Sequence, residues 1–329
     1  MGFLDKFKKK SLYKEAFRLI QQERYLEAFE NYEEILRINP LEHEAWSNKG
    51  NIFFKLERFG EAIKSYDKAL ELDPDCPGYW FNKGNVYYKL KRFEEALKCY
   101  DKSLKLDPTD INALINKCRV FNNLKRSEDA LECYNTALKL EPKHKYVWNG
   151  KAITLSNLKR YDEALKCFDK VLEMDPTYVD AWFNKGKVLY RLKKCYKALK
   201  CFDKVLEMDP TYVDAWFNKG DVLYRLKKCY KALKCYDEVL EMDPMHSNTW
   251  NNKGVTLQHL KKYHEALKCY NKALEIDPKF IIALINKGEV LGKLERYHEA
   301  LECLNKVLEI DPDFEPAKKA KEEILSSKS

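Results

Sequence analysis

Residues 179–210 read VDAWFNKGKVLYRLKKCYKALKCFDKVLEMDP. Two stretches of this segment, Val179–Leu192 and Tyr196–Met208, carry apolar residues at helical spacing. A tight corner, Lys193-Lys194-Cys195, joins them. Asp209-Pro210 ends the second stretch, because a proline removes a backbone donor and clashes with the preceding turn. The segment therefore predicts two short helices that fold back on each other.

The same pattern recurs every 34 residues. Nine of the eleven prolines follow this spacing: Pro40, Pro74, Pro108, Pro142, Pro176, Pro210, Pro244, Pro278 and Pro312. All six tryptophans keep the same register: Trp46, Trp80, Trp148, Trp182, Trp216 and Trp250. One short helix pair cannot bury its apolar faces alone, so neighbouring pairs must stack. The period predicts nine repeats: 9–42, 43–76, 77–110, 111–144, 145–178, 179–212, 213–246, 247–280 and 281–314.

The order of Trp, Gly, Ala, aromatic residue and Pro within each period resembles the tetratricopeptide repeat, whose length is also 34. In repeat six these residues are Trp182, Gly186, Ala198, Phe202 and Pro210. The resemblance covers residues 9–314 and implies an all-α, right-handed superhelical solenoid of stacked antiparallel helix pairs. Residues 1–8 are expected to form a basic N-terminal arm, and 315–329 a C-terminal capping helix and tail.

Repeats six and seven are nearly copies of one another. Residues 167–200 and 201–234 differ only at Lys187 versus Asp221. Such near-identity indicates a duplication within the array, and it suggests that the number of repeats is partly free to vary.

Composition narrows the function classes. The chain has 329 residues, 45% of them hydrophobic, 34% charged, and a net charge of +8. This composition excludes a disordered chain, and no window of 18 residues is free of charge, so no transmembrane segment is predicted. No secretory signal follows the basic start, and we expect a cytoplasmic protein.

Eleven cysteines raise the question of disulfides or metal sites. Seven of them occupy one repeat position: Cys99, Cys133, Cys167, Cys201, Cys235, Cys269 and Cys303. Cys195 and Cys229 add a second thiol at the corner between helices. Serial members lie one repeat apart, so we interpret them as small, reduced packing residues rather than metal ligands. The sequence has no phosphate-binding loop, nucleophile motif or paired metal-ligating histidines, so we expect no enzyme, cofactor or metal.

A ladder of asparagines suggests binding. It comprises Asn48, Asn82, Asn116, Asn184, Asn218, Asn252 and Asn286, each two residues after the Trp position. In the family this position lines the concave groove, and a carboxamide can pair with any peptide unit. Matching groove positions hold Phe183, Phe217, Tyr190, Tyr224, Arg191 and Arg225. The alternative is an asparagine that caps a helix or packs between repeats. The resemblance implies a non-catalytic scaffold that binds an extended peptide or a partner protein.

A lysine follows each ladder asparagine, for example Lys49, Lys83 and Lys219. This row favours a weaker alternative, a solenoid that binds single-stranded RNA, although acidic residues are interleaved with it. Two further expectations concern the ends of the chain. Phe3, Leu4 and Phe7 with the neighbouring lysines could touch an anionic membrane, and the ends of the array could self-associate.

Overall fold

A computed structural model describes residues 3–326 of the chain, and within this range every regular element is an α-helix. The first helix of each repeat is called here the A helix and the second the B helix. Within residues 3–157 and within residues 179–326, the A and B helices of one repeat pack against each other, and each B helix packs on the next A helix. The chain divides into two compact units, Met1–Lys170 and Val171–Ser329.

The N-terminal unit contains nine complete helices. They are α1 Phe3–Gln21, α2 Tyr25–Ile38, α3 His43–Lys55, α4 Phe59–Leu72, α5 Pro77–Lys89, α6 Phe93–Leu106, α7 Ile111–Asn123, α8 Ser127–Leu140 and α9 Lys145–Asn157. Because α1 begins at Phe3, residues 3–8 extend the first helix. Of the residues expected to touch a membrane, the side chains of Phe3 and Leu4 lie outside the described residues, and Phe7 is 59% exposed.

Helix α10, Tyr161–Met174, ends the N-terminal unit and begins the C-terminal one. The remaining helices are α11 Val179–Arg191, α12 Cys195–Met208, α13 Val213–Arg225, α14 Cys229–Met242, α15 Ser247–His259, α16 Tyr263–Ile276, α17 Ile281–Lys293, α18 Tyr297–Ile310 and α19 Glu315–Ser326. These bounds agree with the two helices predicted for repeat six to within a residue.

The corner between A and B helices has one backbone conformation throughout the array. Its first residue adopts a left-handed φ of 57–61° at nine positions: Glu23, Glu57, Lys91, Lys125, Lys159, Lys193, Lys227, Lys261 and Glu295. In repeat six Lys193 N–H donates to Tyr190 O at 2.9 Å, and Lys194 N–H donates to Leu189 O at 2.9 Å. This Schellman arrangement satisfies the last carbonyls of the A helix and reverses the chain within two residues.

The periodic tryptophans and prolines form one contact. Each indole N–H donates to the carbonyl of the proline six residues earlier, over 2.8–3.0 Å, as in Trp182 to Pro176 and Trp216 to Pro210. The bond fastens the A helix to the turn that precedes it, which explains why both residues share the period.

Glycines allow the A and B helices to approach closely. A Cβ built on Gly186 would lie 2.8 Å from the Phe202 ring, and one on Gly220 would lie 2.5 Å from the Tyr236 ring. In repeat four, Cys118 occupies the glycine position and forms a disulfide with Cys133 of the B helix, with Cα atoms 5.6 Å apart. The expectation that all cysteines are reduced is therefore wrong for this pair, whereas the other nine are free.

The last helix covers the apolar end of repeat nine. Ala317 of α19 is buried in a cluster with Leu284, Leu304 and Val307, and Ile324 packs against it. This confirms the predicted capping helix. Leu325 of the same helix is 50% exposed.

Candidate functional site

In repeats three and four the ladder asparagines bond across the repeat boundary. Asn82 Nδ2 donates to Asn51 Oδ1 of the preceding A helix at 3.2 Å, and Asn116 Nδ2 donates to Asn85 Oδ1 at 2.8 Å. Asn48 Oδ1 accepts from Asn51 at 3.4 Å. These amides are therefore used within the protein, as the packing alternative predicted.

A tyrosine of the B helix completes each of these links. Tyr66 OH donates to Asn51 Oδ1 at 2.7 Å, and Tyr100 OH donates to Asn85 Oδ1 at 2.8 Å. One acceptor oxygen thus receives hydrogen bonds from its own B helix and from the next A helix. Both tyrosines are almost fully buried, so the bonds satisfy hydroxyls that water does not reach.

Repeat seven builds the same link with a carboxylate. Asp221 Oδ1 accepts from Tyr236 OH at 2.7 Å and from Asn252 Nδ2 at 2.9 Å. Burial raises the pKa of Asp221, and the hydrogen bonds from Tyr236 and Asn252 offset only part of that effect. In repeat nine Asn286 Nδ2 donates to Asn251 Oδ1 at 2.9 Å, so this ladder residue is also engaged by the preceding repeat.

Two ladder residues differ from these. Asn184 Nδ2 donates to Asp180 O at 2.9 Å, and Asn218 Nδ2 donates to Asp214 O at 2.7 Å, so both amides bond to their own helix. The residue in repeat six that corresponds to Asp221 is Lys187, which cannot accept a hydrogen bond from Asn218. Within residues 3–326, Asn184 and Asn218 make no other hydrogen bond, and their Oδ1 atoms are unpaired.

The aromatic and arginine residues predicted beside the ladder lie on the A helices of repeats six and seven. Phe183 is only 8% exposed and packs on Phe202 and Tyr212, with ring centroids 6.0 and 5.0 Å apart. Its ring therefore lies in the packed interior rather than on the accessible surface. Phe217 is half-buried and packs on Tyr236 and His246 in the same way, at 6.3 and 5.3 Å.

The outer part of this face is more accessible. Arg191 and Arg225 are exposed, and Arg225 Cζ lies 5.4 Å from the Tyr190 ring centroid. Tyr224 meets His259 of repeat eight edge to face at 5.9 Å. Tyr190 and Tyr224 therefore each contact a side chain of the following repeat, a guanidinium in one case and an imidazole in the other.

The lysine row lies between helices rather than in open solvent. Lys83 Nζ lies 2.6 Å from Asp67, Lys219 Nζ lies 2.8 Å from Asp203, and equivalent pairs place Lys49, Lys117 and Lys253 next to a carboxylate of the preceding B helix. Lys49, Lys83, Lys151, Lys185, Lys219 and Lys253 also lie over the tryptophan of their own repeat. Pairing neutralises these lysines, so this row offers little charge to a phosphate backbone.

Three cavities lie beside these lysines. Their volumes are about 460, 500 and 260 Å³, and they include Lys49, Lys219 and Lys117 respectively. Within residues 3–326 no group of three or more His, Cys, Asp or Glu side chains is placed to hold a metal ion. Burial raises the pKa of Cys99 and Cys235 to about 11, so both thiols are neutral near pH 7.

A further finding concerns membranes. No helix among residues 3–326 has both the length and the apolar character required to cross a bilayer.

Comparison with protein families identifies the repeat. The tetratricopeptide repeat family model matches residues 78–110, 146–178, 179–212, 247–280 and 281–314, more than half of the chain. Related models match 50–91, 111–144 and 201–233. The chain belongs to the tetratricopeptide repeat family. No curated protein matches this tetratricopeptide repeat chain significantly.

Solved structures share this fold. A tetratricopeptide repeat protein from Parabacteroides merdae is 18% identical, with a TM-score of 0.60 over 76% of this chain and 99% of that one. Pseudomonas aeruginosa pilF is 20% identical, with a TM-score of 0.57 over 66% of this chain and 97% of that one. YrrB, described as a TPR protein with an unusual peptide-binding site, is 26% identical, with a TM-score of 0.49 over 56% and 95%.

The residue that accepts a hydrogen bond from the ladder asparagine of the next repeat was not predicted from the sequence. Asn51, Asn85 and Asp221 each stand 31 residues before a ladder asparagine and decide what that asparagine binds. The blocks 167–200 and 201–234 differ only at this position, Lys187 against Asp221, which was a usable signal.

Proposed function

We propose that this tetratricopeptide repeat protein is a non-catalytic scaffold that holds an extended segment of a partner protein against the A helices of repeats six and seven. The proposal rests on the hydrogen bonding of Asn184 and Asn218. They stand at the same position of neighbouring repeats, each bonds only to its own helix, and each has an unpaired Oδ1 atom.

The chemistry of this face suits a peptide backbone. Each Oδ1 can accept a peptide N–H, while the amide of the same side chain retains a second N–H for a peptide carbonyl. Such contacts read the main chain and leave the side chains of the partner free. Tyr190 and Tyr224 add aromatic surface, and Arg191 and Arg225 add cations that favour an acidic residue in the segment.

Affinity would come from several repeats acting together. One neutral hydrogen bond contributes only about 0.5–1.5 kcal/mol, so a single asparagine cannot retain a partner. Two identical sites on neighbouring repeats engage the same segment in register, and the second contact forms at high effective concentration.

A displayed peptide library tests the proposal. Peptides selected on the purified protein would be measured by calorimetry against the double variant Asn184→Ala/Asn218→Ala. We expect affinity to fall about tenfold or more, because two backbone contacts are lost, while the melting temperature stays unchanged.

The matched control is Asn82→Ala/Asn116→Ala, which removes the same side chains where they bond between repeats. It should lower stability and leave the affinity of peptides selected on repeats six and seven unchanged. If every selected peptide binds Asn184→Ala/Asn218→Ala as tightly as the parent protein, the asparagine face is not the binding site.

A further inference from the structure

The start of each B helix carries an ion pair in seven of the nine repeats. A basic residue just before the helix pairs with an acidic residue three positions later. The pairs are Arg24–Glu27, Arg58–Glu61, Arg92–Glu95, Arg126–Asp129, Arg160–Glu163, Lys262–Glu265 and Arg296–Glu299. The acidic partner lies in the first turn, where the helix dipole favours a negative charge. This pair is thus a regular part of the repeat.

Repeats six and seven reverse that charge. Lys197 and Lys231 stand where the other repeats have Glu or Asp, and the first turns of α12 and α14 contain no acidic residue. Both lysines face the positive end of a helix dipole and follow another lysine three positions earlier, which is locally unfavourable. The reversal therefore makes this part of the surface more basic in two adjacent repeats.

The lysines at these helix starts are exposed. Within the described residues 3–326, Lys197, Lys200, Lys231 and Lys234 make no ion pair. A tyrosine in each copy is also exposed, Tyr196 at 64% and Tyr230 at 66%. We call this surface the basic patch; its members are Lys193, Lys194, Tyr196, Lys197, Lys200, Lys227, Lys228, Tyr230, Lys231 and Lys234.

The lysines of the second copy line a cavity beside α12. It has a volume of about 500 Å³ and is lined by Leu199 of α12 together with Lys228, Lys231 and Lys234 at the start of α14. Lys228 Nζ also lies 5.1 Å from the ring centroid of Tyr196, which shows that the two helix starts are neighbours.

The residues that line the cavity are partly apolar and mostly cationic among the charged ones. Trp216 and Leu223 line it beside Lys219, and two acidic residues, Asp203 and Glu238, are also present. Asp203 is already paired with Lys219 at 2.8 Å. The lysines of α14 therefore exceed the acidic groups available to them in the cavity.

We propose that the basic patch binds single-stranded nucleic acid without sequence preference. Lysines suit phosphates as point charges, and two identical copies one repeat apart suit a polymer of regularly spaced phosphates. The exposed rings of Tyr196 and Tyr230 provide stacking surfaces for bases, and stacking accepts every base. An acidic peptide would use the same lysines, but one exposed ring beside several cations in each of two successive copies matches the repeating base and phosphate of a single strand, so the observations favour nucleic acid. This surface belongs to the B helices and is separate from the asparagine face.

Fluorescence anisotropy with a 20-nucleotide, fluorescein-labelled oligo(U), and with oligo(dT), tests this proposal between 50 and 300 mM KCl. The informative variant is Lys197→Glu/Lys231→Glu, which restores the residue type of the other repeats and should fold at least as well as the parent. We expect its affinity at 100 mM KCl to fall about tenfold or more, and the salt slope to decrease by about 1 to 2, because at least two phosphate contacts are lost.

A second variant separates stacking from charge. Tyr196→Ala/Tyr230→Ala should weaken binding about fivefold or more and leave the salt slope unchanged. The matched control is Lys64→Glu/Lys98→Glu, which makes the same change of net charge at the position of Lys200 and Lys234, but in repeats two and three. Its affinity should stay within about twofold of the parent.

Three results would overturn the proposal. One is the absence of oligonucleotide binding at 50 mM KCl. Another is an equal loss in the Lys64→Glu/Lys98→Glu control, which would indicate a general charge effect. The third is binding of a 20-residue polyglutamate as tight as that of oligo(U), which would assign the patch to an acidic protein segment.

Discussion

Repeats six and seven have almost the same sequence but different internal bonds. Around Asp221 in repeat seven, Tyr236 and Asn252 donate to one carboxylate oxygen. Lys187 holds the same place in repeat six, and its ammonium lies 5.2 Å from the Phe183 ring centroid. The acceptor residue of the A helix therefore decides whether a repeat bonds to the next ladder asparagine.

The difference extends to the B helix. Tyr66, Tyr100 and Tyr236 occur in repeats whose A helix offers an Asn or Asp acceptor, whereas repeat six has Lys187 and, on its B helix, Phe202. A hydroxyl buried beside lysine would have no acceptor, so the aromatic residue and the acceptor change together. The same helix position thus holds one of two kinds of asparagine. A linked asparagine, such as Asn252, bonds to the preceding repeat, and an open one, such as Asn218, bonds only to its own helix.

The largest effect should come from filling the glycine position. An alanine at Gly220 would push on Tyr236, whose hydroxyl is held by Asp221, whereas Phe202 opposite Gly186 has no such bond. We expect Gly220→Ala to lower the free energy of unfolding by about 2–3 kcal/mol, and Gly186→Ala to lower it by about 1 kcal/mol less than that. Urea unfolding measures both values.

Gly288→Ala is the control for this pair. A Cβ at Gly288 would lie 3.6 Å from its nearest neighbour, in ordinary contact, and alanine favours the helix by about 1 kcal/mol. An equal loss of unfolding free energy in Gly186→Ala and Gly220→Ala would show that the hydrogen bond from Tyr236 to Asp221 does not hold the Tyr236 ring in place.

The next effect concerns the ladder itself. Asn252→Ala should cost about 1–2 kcal/mol, because it leaves the buried Asp221 with a single donor. Asn218→Ala, whose amide bonds only to its own helix, should change stability by less than about 0.5 kcal/mol. Chemical unfolding of the two variants in parallel measures the difference, and similar losses would contradict the distinction between linked and open asparagines.

The missing hydrogen bond between repeats six and seven can be built by substitution in repeat six. The double change Lys187→Asn/Phe202→Tyr reproduces the arrangement of Asn51 and Tyr66, so Asn218 should then donate to residue 187. We expect a gain of about 1 kcal/mol in stability and weaker binding of any peptide that depends on Asn218. The single change Phe202→Tyr should give no gain, since Lys187 offers no acceptor; a gain there would refute the pairing rule.

The smallest effect depends on pH. Because the pKa of Asp221 is raised in the folded protein, its contribution to stability is greatest below the unfolded value of about 3.9 and falls as pH rises through the folded value. Asp221→Asn keeps the acceptor oxygen without a charge, so it should be more stable than the parent at pH 7 and lose that advantage at pH 3. Thermal melts at both values test this. Asp214→Asn, at an exposed carboxylate of the same repeat, should show no such crossover.

Sequence reasoning reached the architecture but only part of the site. Helices α11 and α12 were predicted to within one residue, since apolar spacing and Pro210 act locally. Cys133 was interpreted as a reduced packing residue, but it bonds to Cys118, because the close approach of the two helices at the glycine position also brings two sulfurs together. The lysine row was read as a candidate phosphate surface, but its partners lie on the preceding B helix.

The sequence by itself determined the 34-residue period, the helix pairs and the aligned asparagines, because these depend on local spacing and on the need of each pair to bury its apolar face. Tertiary structure alone decided the bonding of each asparagine. Asn252 meets Asp221 and Asn218 does not meet an acceptor, although both stand in the same register of their helices. The partner is an atom 31 residues away, and only the packed A helices bring it within hydrogen-bond distance.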